Sequence, residues 1–293
     1  MKTKTLIGII VLLLTMIAVI ACVNTITDED NDNEAAIDRN EGKTILFQIA
    51  SLEQTPVNTS TRAEVNISEL CTNITLALYQ GNSRVQKIDQ DTDDNNFGSI
   101  SARLPYGSYT LICLAHSSEG NATTTNPEKI TFPSSYITDT FLYSADIEVT
   151  EDSEPIQHIS LRRVVAKFEL DISDNIPEEV TQLQIKYYGG SSSLNGRTGA
   201  GMTHSNQHEE FDILTHNGSS VFGVYSFLFE EEGNFKFTII AYDKEGEEVF
   251  SRVFENVPMK RNNITRYQGK LFGKGINGTI TADNTWTHTQ YDF

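Results

Sequence analysis

Apolar residues recurring at every second position limit the fold of this chain more than any other feature. From Val164 to Ile172, Val164, Ala166, Phe168, Leu170 and Ile172 share one phase, while Lys167, Glu169 and Asp171 fall in the other. Successive side chains of a strand point to opposite faces, so this spacing buries one face of a strand, whereas on a helix the same residues would scatter around the axis. The runs Thr44–Ile49, Ile74–Tyr79 and Tyr109–Leu114 are likewise short, rich in β-branched and aromatic residues, and bounded by turn formers. Further strands are expected at Gln182–Tyr188, Val221–Phe229, Phe235–Tyr242, Glu248–Phe254, Arg266–Phe272 and Gly278–Ala282.

Turn chemistry agrees. Pro105-Tyr106-Gly107 precedes one strand, and Asp243-Lys244-Glu245-Gly246 links two others, with Gly246 suited to a left-handed position. Helical periodicity is nearly absent; Pro177-Glu178-Glu179-Val180-Thr181 is suited at most to a single helical turn. Strands at intervals of roughly ten residues without helices between them predict an all-β chain of two tandem antiparallel β-sandwich domains. The polar stretch Thr150–Pro155 precedes a strong new strand, so the domains are expected at 43–158 and 159–293. Gly189–Glu210 carries five glycines, many Ser and Asn residues, and His204 and His208, and reads as a long surface loop able to carry function.

The amino terminus has the pattern of a bacterial lipoprotein signal. Lys2 and Lys4 precede the uncharged run Leu6–Ala21, and Val19-Ile20-Ala21-Cys22 matches the cleavage pattern that makes Cys22 the first residue of the mature chain. Residues 1–21 are then a signal peptide, and Cys22 carries acyl chains, palmitate among them, that anchor the body to a membrane without spanning it. An ordinary secretory signal or a short membrane helix is the competing reading, and the run is short for a span. Residues 22–42 form an acidic tether, since Asp28-Glu29-Asp30-Asn31-Asp32-Asn33-Glu34 holds no apolar residue to bury. That stretch lacks the glycine and closing glutamate of a calcium loop.

Charge and residue inventory exclude several function classes. With 22 basic and 40 acidic residues, the net charge is −18, and nucleic acid is not an expected partner. Cys71 and Cys113 lie in apolar strand-like stretches and read as buried thiols rather than a disulfide or a zinc site. His204-x-x-x-His208 followed by Glu209-Glu210 is the nearest approach to a metal site, but it lacks a glutamate directly after the first histidine and sits outside a helix. No nucleophile elbow, phosphate loop or dinucleotide fingerprint occurs, so no enzyme activity, catalytic residue, metal or cofactor is expected.

Several segments together resemble the fimbrial subunit lipoproteins of Bacteroidales. They are Ile159–Leu170 with Arg162-Arg163, Pro258–Thr265 with Gly269–Phe272, Ile280–Asp292 around Trp286, Leu104–Tyr109, and Ile137–Phe141. Within that fimbrillin superfamily the chain is most similar to the anchor-type and minor subunits. The resemblance implies two transthyretin-like β-sandwich domains, export as a lipid-modified precursor, location in the outer membrane and at the fimbrium, and a role in cell adhesion. It also implies fimbrial subunits as partners, joined by β-strand addition, in which an open groove accepts a neighbour's strand. In stalk subunits of this kind an arginine-specific protease removes the leading strand, while anchors keep it. Arg39 and Arg62 are the candidates here; Arg62 follows the first strand, and cutting there would release the body from Cys22.

The residues themselves give those segments a structural role. Arg162 and Arg163 are placed to meet carboxylates at the domain junction or to remain solvated, and Trp286 is expected at the edge of the second core. The competing function is a surface glycan-binding lipoprotein of a polysaccharide-uptake system, with some of the 11 tyrosines lining a sugar platform. A groove-bearing sheet favours the fimbrial reading, and an aromatic shelf favours the glycan reading.

Overall fold

Strands account for nearly all regular structure in the computed structural model, which describes residues 41–52, 67–213, 220–273 and 287–292. In chain order they are β1 (Gly42–Leu52), β2 (Asn73–Gln80), β3 (Ser83–Asp91), β4 (Ser99–Pro105), β5 (Gly107–His116), β6 (Thr123–Asn126), β7 (Lys129–Thr131), β8 (Phe141–Val149) and β9 (Ile156–Arg163). They continue with β10 (Val165–Ile172), β11 (Gln182–Tyr188), β12 (Ser193–Leu194), β13 (Gln207–Asp212), β14 (Val221–Phe227), β15 (Glu232–Tyr242), β16 (Glu248–Lys260), β17 (Asn263–Gly269) and β18 (Thr287–Asp292). No α-helix occurs among the described residues. The expected turn at Pro177 is closed by Val180 N–H donating to Pro177 O, and Thr181 N–H already bonds Tyr242 O, which draws the chain into β11 instead of a helix.

The first half is a sandwich. Strands β3-β2-β5-β8 form one layer and β9-β1-β4 the other, joined edgewise at Phe141↔Arg163 and Leu142↔Arg162. Between the layers lie Ile45, Phe47, Ile100 and Leu104 from one side and Ile74, Leu76, Leu111 and Phe141 from the other. Cys71 and Cys113 are buried free thiols in this core, and burial pushes Cys113 up to about 12. The second half packs β14-β10-β17-β18 against β13-β11-β15-β16, with Phe168 stacked on Phe237 at a ring separation of 3.9 Å. The pairs β1–β9, β10–β17 and β17–β18 are parallel, a feature that strand spacing did not reveal because long excursions connect them. The strand expected to end at Phe254 runs on to Lys260. A bulge at Asn256, whose φ is +54°, absorbs the irregularity, and Pro258 is tolerated because β16 is an edge strand.

A third core joins the halves. Ala77, Tyr79, Ile112, Leu114, Ile130 and Phe132 from the first half meet Val164, Val165, Leu194 and Phe227 from the second. Strands β2 and β5 are therefore buried on both faces: Leu76 and Leu111 face the first core, Ala77 and Ile112 the third. Their near-continuous apolar runs follow from this double burial. Strand β9 spans residues 158 and 159, placing Ile159 and Leu161 in the first core. Arg163 at its end donates to both Asp139 carboxylate oxygens at 2.7 and 2.8 Å and lies over the Phe141 ring. Arg162 instead donates to the Thr198 carbonyl at 2.6 Å.

The segment expected as a surface loop, Gly189–Glu210, is a packed connector. Its strand β12 pairs with β7 through Ser193↔Thr131 and Leu194↔Ile130, and its end belongs to β13. Glycine permits the approach: a Cβ on Gly196 would lie 2.6 Å from Ile130 Cδ1 and 2.8 Å from Pro127 O. Arg197 reaches across to Thr110 Oγ1 and Gly81 O, both at 2.9 Å. Since Leu194 is fully buried in the third core, Leu194→Ala is expected to lower unfolding stability by about 2–5 kcal/mol in urea titrations. A loss below about 1 kcal/mol would show that the segment does not pack as described.

Candidate binding cleft

Two irregular segments, one from each half, enclose a broad hollow. On one side the chain turns at Pro133-Ser134-Ser135, with Ser134 and Ser135 both left-handed at φ +54° and +56°. Such values are unfavourable for serine and persist when neighbours hold both ends. Here Phe132 and Ile137 are buried in the third core on either side of the turn, so Ser134, Ser135 and Tyr136 are pushed outward. Ser118 Oγ donates to Tyr136 O at 2.9 Å and fixes the exit.

The opposite wall is the connector after β11. Gly189 has φ +126°, and a Cβ there would lie 2.8 Å from Asn234 O. Ser191, fully buried, ties the next turns together: its Oγ donates to Ser193 O at 2.8 Å and accepts the N–H groups of Ser193, Met202 and Thr203 at 3.1, 3.2 and 3.1 Å. Ser192, Ser205 and Asn206 are thereby set along the cleft.

The floor comes from adjacent strands β11 and β13, which pair Tyr187 with Gln207. Tyr187 Oη donates to Tyr225 O at 3.0 Å and accepts from Gln207 Nε2 at 3.4 Å, while Ser226 Oγ donates to Gln207 Oε1 at 3.0 Å. Glu209 Oε1 lies 3.5 Å from Tyr187 Oη. A phenol carries one proton, and the shorter contact to Tyr225 O takes it, so Glu209 faces an oxygen rather than a free donor. Burial pushes the Glu209 carboxyl up to about 8, and burial also raises Tyr187, with the Glu209 charge adding to it. Burial thus favours the uncharged acid at this end of the network.

The resulting cleft measures about 780 Å³, within the range of roughly 300–1,000 Å³ typical of small-molecule sites. An adjoining hollow of about 320 Å³ shares Tyr187, Asn206, Gln207 and His208 with it. Exposed Tyr136 lines the first hollow and exposed Tyr188 the second. His204 is not directed towards His208: its ring lies 4.0 Å from Phe229 and 6.0 Å from Tyr188. Glu210 accepts from the Gln182 and Gln184 amides. Among the described residues no group of three or more His, Cys, Asp or Glu side chains is placed to hold a metal. Cys22, Arg39, Arg62 and Trp286 lie outside the described residues. Sequence reasoning singled out His208 and Glu209 but missed Tyr136 and Tyr187; the signal was the Pro-Ser-Ser-Tyr turn between two apolar anchors.

A family profile matches residues 39–292. The chain belongs to DUF6562, a family of unknown function. No curated protein matches this DUF6562 member. Among solved structures, it is similar to a candidate adhesin from Bacteroides ovatus, with 12% identity and a TM-score of 0.49 over 78% of this chain and 88% of that one. It is also similar to the tip fimbrial protein Mfa3 from Porphyromonas gingivalis, with 9% identity and a TM-score of 0.41 over 80% and 97% of the two chains. The fimbrial anchor protein Mfa2 from the same organism gives 10% identity and a TM-score of 0.38 over 72% and 82%.

Two outcomes follow from the cleft walls. Ser191→Ala removes the side-chain acceptor of the buried Ser193 N–H and of the Thr203 N–H, while Met202 N–H keeps Ser193 O, and is expected to lower stability by about 1–3 kcal/mol, read by chemical denaturation. Glu209 has a folded pKa of about 8 against an ordinary value of 4.5, so its stabilising contribution is complete below 4.5 and is lost as pH rises towards 8. Glu209→Gln is expected to flatten that part of the stability profile, and thermal unfolding between pH 4.5 and 8.5 checks it; an unchanged slope would place the titration elsewhere.

Proposed function

We propose that this chain is a non-catalytic fimbrial subunit or anchor lipoprotein of the bacterial outer membrane, exposed at the cell surface and supporting adhesion. Acyl chains on Cys22 hold it, the acidic stretch 22–42 spaces it from the bilayer, and its two domains, 43–158 and 159–293, share β9 as their join. Its partners are other fimbrial subunits, engaged by β-strand addition.

The position of β18 is the observation that carries this reading. The last strand of the chain occupies the end of the order β14-β10-β17-β18 and pairs with β17 alone, in parallel register from Asn263↔Thr287 to Gln268↔Asp292. Among the described residues this strand shares its ladder with β17 alone, so an equivalent strand from another subunit can take the same hydrogen bonds. That geometry supports assembly through backbone pairing, and the sequence resemblance supplies the kind of assembly.

Intact mass and amino-terminal sequencing of protein taken from the cell surface test the proposal. An acylated Cys22 is expected for an anchor, and a chain beginning at Ala63 is expected for a subunit matured after Arg62. Cys22→Ala is expected to move the protein out of the membrane fraction. A native chain that starts at neither position, or that never co-purifies with fimbriae, would refute it.

A further inference from the structure

We infer that the cleft between the Pro133–Tyr136 turn and the β11–β13 connector is a binding site for an uncharged, hydroxyl-rich ligand, a short neutral oligosaccharide. The inference concerns a site on the folded body and holds whether or not the chain polymerises.

Its first support is the division of labour among the polar groups. The floor residues Tyr187 and Gln207 are held by each other, by Tyr225 O and by the Ser226 hydroxyl beneath them, which fixes the shape of the cleft. Along the rim, among the described residues, the side chains of Ser134, Ser135 and Asn206 make no hydrogen bond within the protein, and all three are exposed. Hydroxyl and amide groups both donate and accept, which suits the paired donor and acceptor character of sugar hydroxyls. A rigid floor beneath unengaged rim groups avoids much of the ordering cost of binding.

The second support is the aromatic flanking. Tyr136, 48% exposed, lines the larger hollow, and Tyr188, 49% exposed, lines the smaller. Their rings offer flat apolar faces with a polar tip, which match the C–H faces and hydroxyl edges of a pyranose. Joined hollows of about 780 and 320 Å³ favour several sugar units over one.

Charge narrows the class. The main cleft is lined by no Lys or Arg; its acidic and imidazole groups are Glu119, His208 and the half-buried Glu209. A chain of net charge −18 also disfavours anionic ligands. Lys186 and Lys236 border the smaller hollow, and Lys236 is paired with Glu255 at 2.8 Å. Glu119 is the exposed carboxylate on the main cleft, and one exposed carboxylate makes a poor cation site.

The test uses the full-length protein in detergent on an array carrying neutral, sialylated and sulfated oligosaccharides, followed by calorimetry on the best neutral hit. Wild type is expected to bind a neutral subset. Tyr136→Ala is expected to weaken that binding about five- to tenfold, and Asn206→Ala to weaken it measurably. Val85→Ala, an exposed site away from the cleft, should leave it unchanged. Circular dichroism confirms that each variant folds; both cleft side chains are exposed, so folding is expected to persist. Absence of neutral binding, preference for the acidic glycans, or equal affinity in Tyr136→Ala and wild type would each overturn the inference. Loss of polymerisation or of acylation bears on the fimbrial reading and leaves this result unaffected.

Discussion

The third hydrophobic core is the constraint on which the rest of this structure depends. Tyr79, Ile112, Leu114 and Phe132 on one side have no cover unless Val165, Leu194 and Phe227 close over them. Phe132 stacks on Phe227 at 5.5 Å, and Tyr79 buries its ring while its hydroxyl donates to Thr124 O at 2.6 Å. Each half alone would expose a broad apolar surface, a state that soluble folds avoid. The halves are thereby held in one arrangement, and the Arg163–Asp139 pair, shielded beside Phe141, adds direction to an otherwise non-directional contact.

The cleft is a by-product of that closure. Phe132 and Leu194 are anchored in the same core, so the turn after one and the connector around the other must face each other across a gap. Neither wall is regular structure. Strained serines shape one, and the other rests on glycines that admit the backbone close to Asn234 and Ile130. Binding chemistry is displayed on irregular segments while the sandwiches supply rigidity.

Alternation made the strands of this chain readable, and β11 matches its expected bounds, Gln182–Tyr188. The turn at Asp243 was equally legible: Gly246 is left-handed at φ +81°, and Asp243 Oδ1 accepts the Glu245 and Glu247 N–H groups. Double burial was harder to see. Ile74–Tyr79 and Tyr109–Leu114 were identifiable as strands, but their unbroken apolar character was the mark of two buried faces rather than one. The connector misled for a related reason. Its Gly, Ser and Asn residues are those of exposed loops, yet they are equally those of a backbone packed tightly against a neighbour. Glu209 stood out only as part of a candidate metal cluster, because its burial depends on β11 pairing with β13, which no local pattern encodes.

Differential scanning calorimetry of the purified protein tests the shared core most directly. If that core couples both sandwiches, unfolding is a single transition whose calorimetric and van't Hoff enthalpies agree. Two separable transitions, one for each sandwich, would contradict the account.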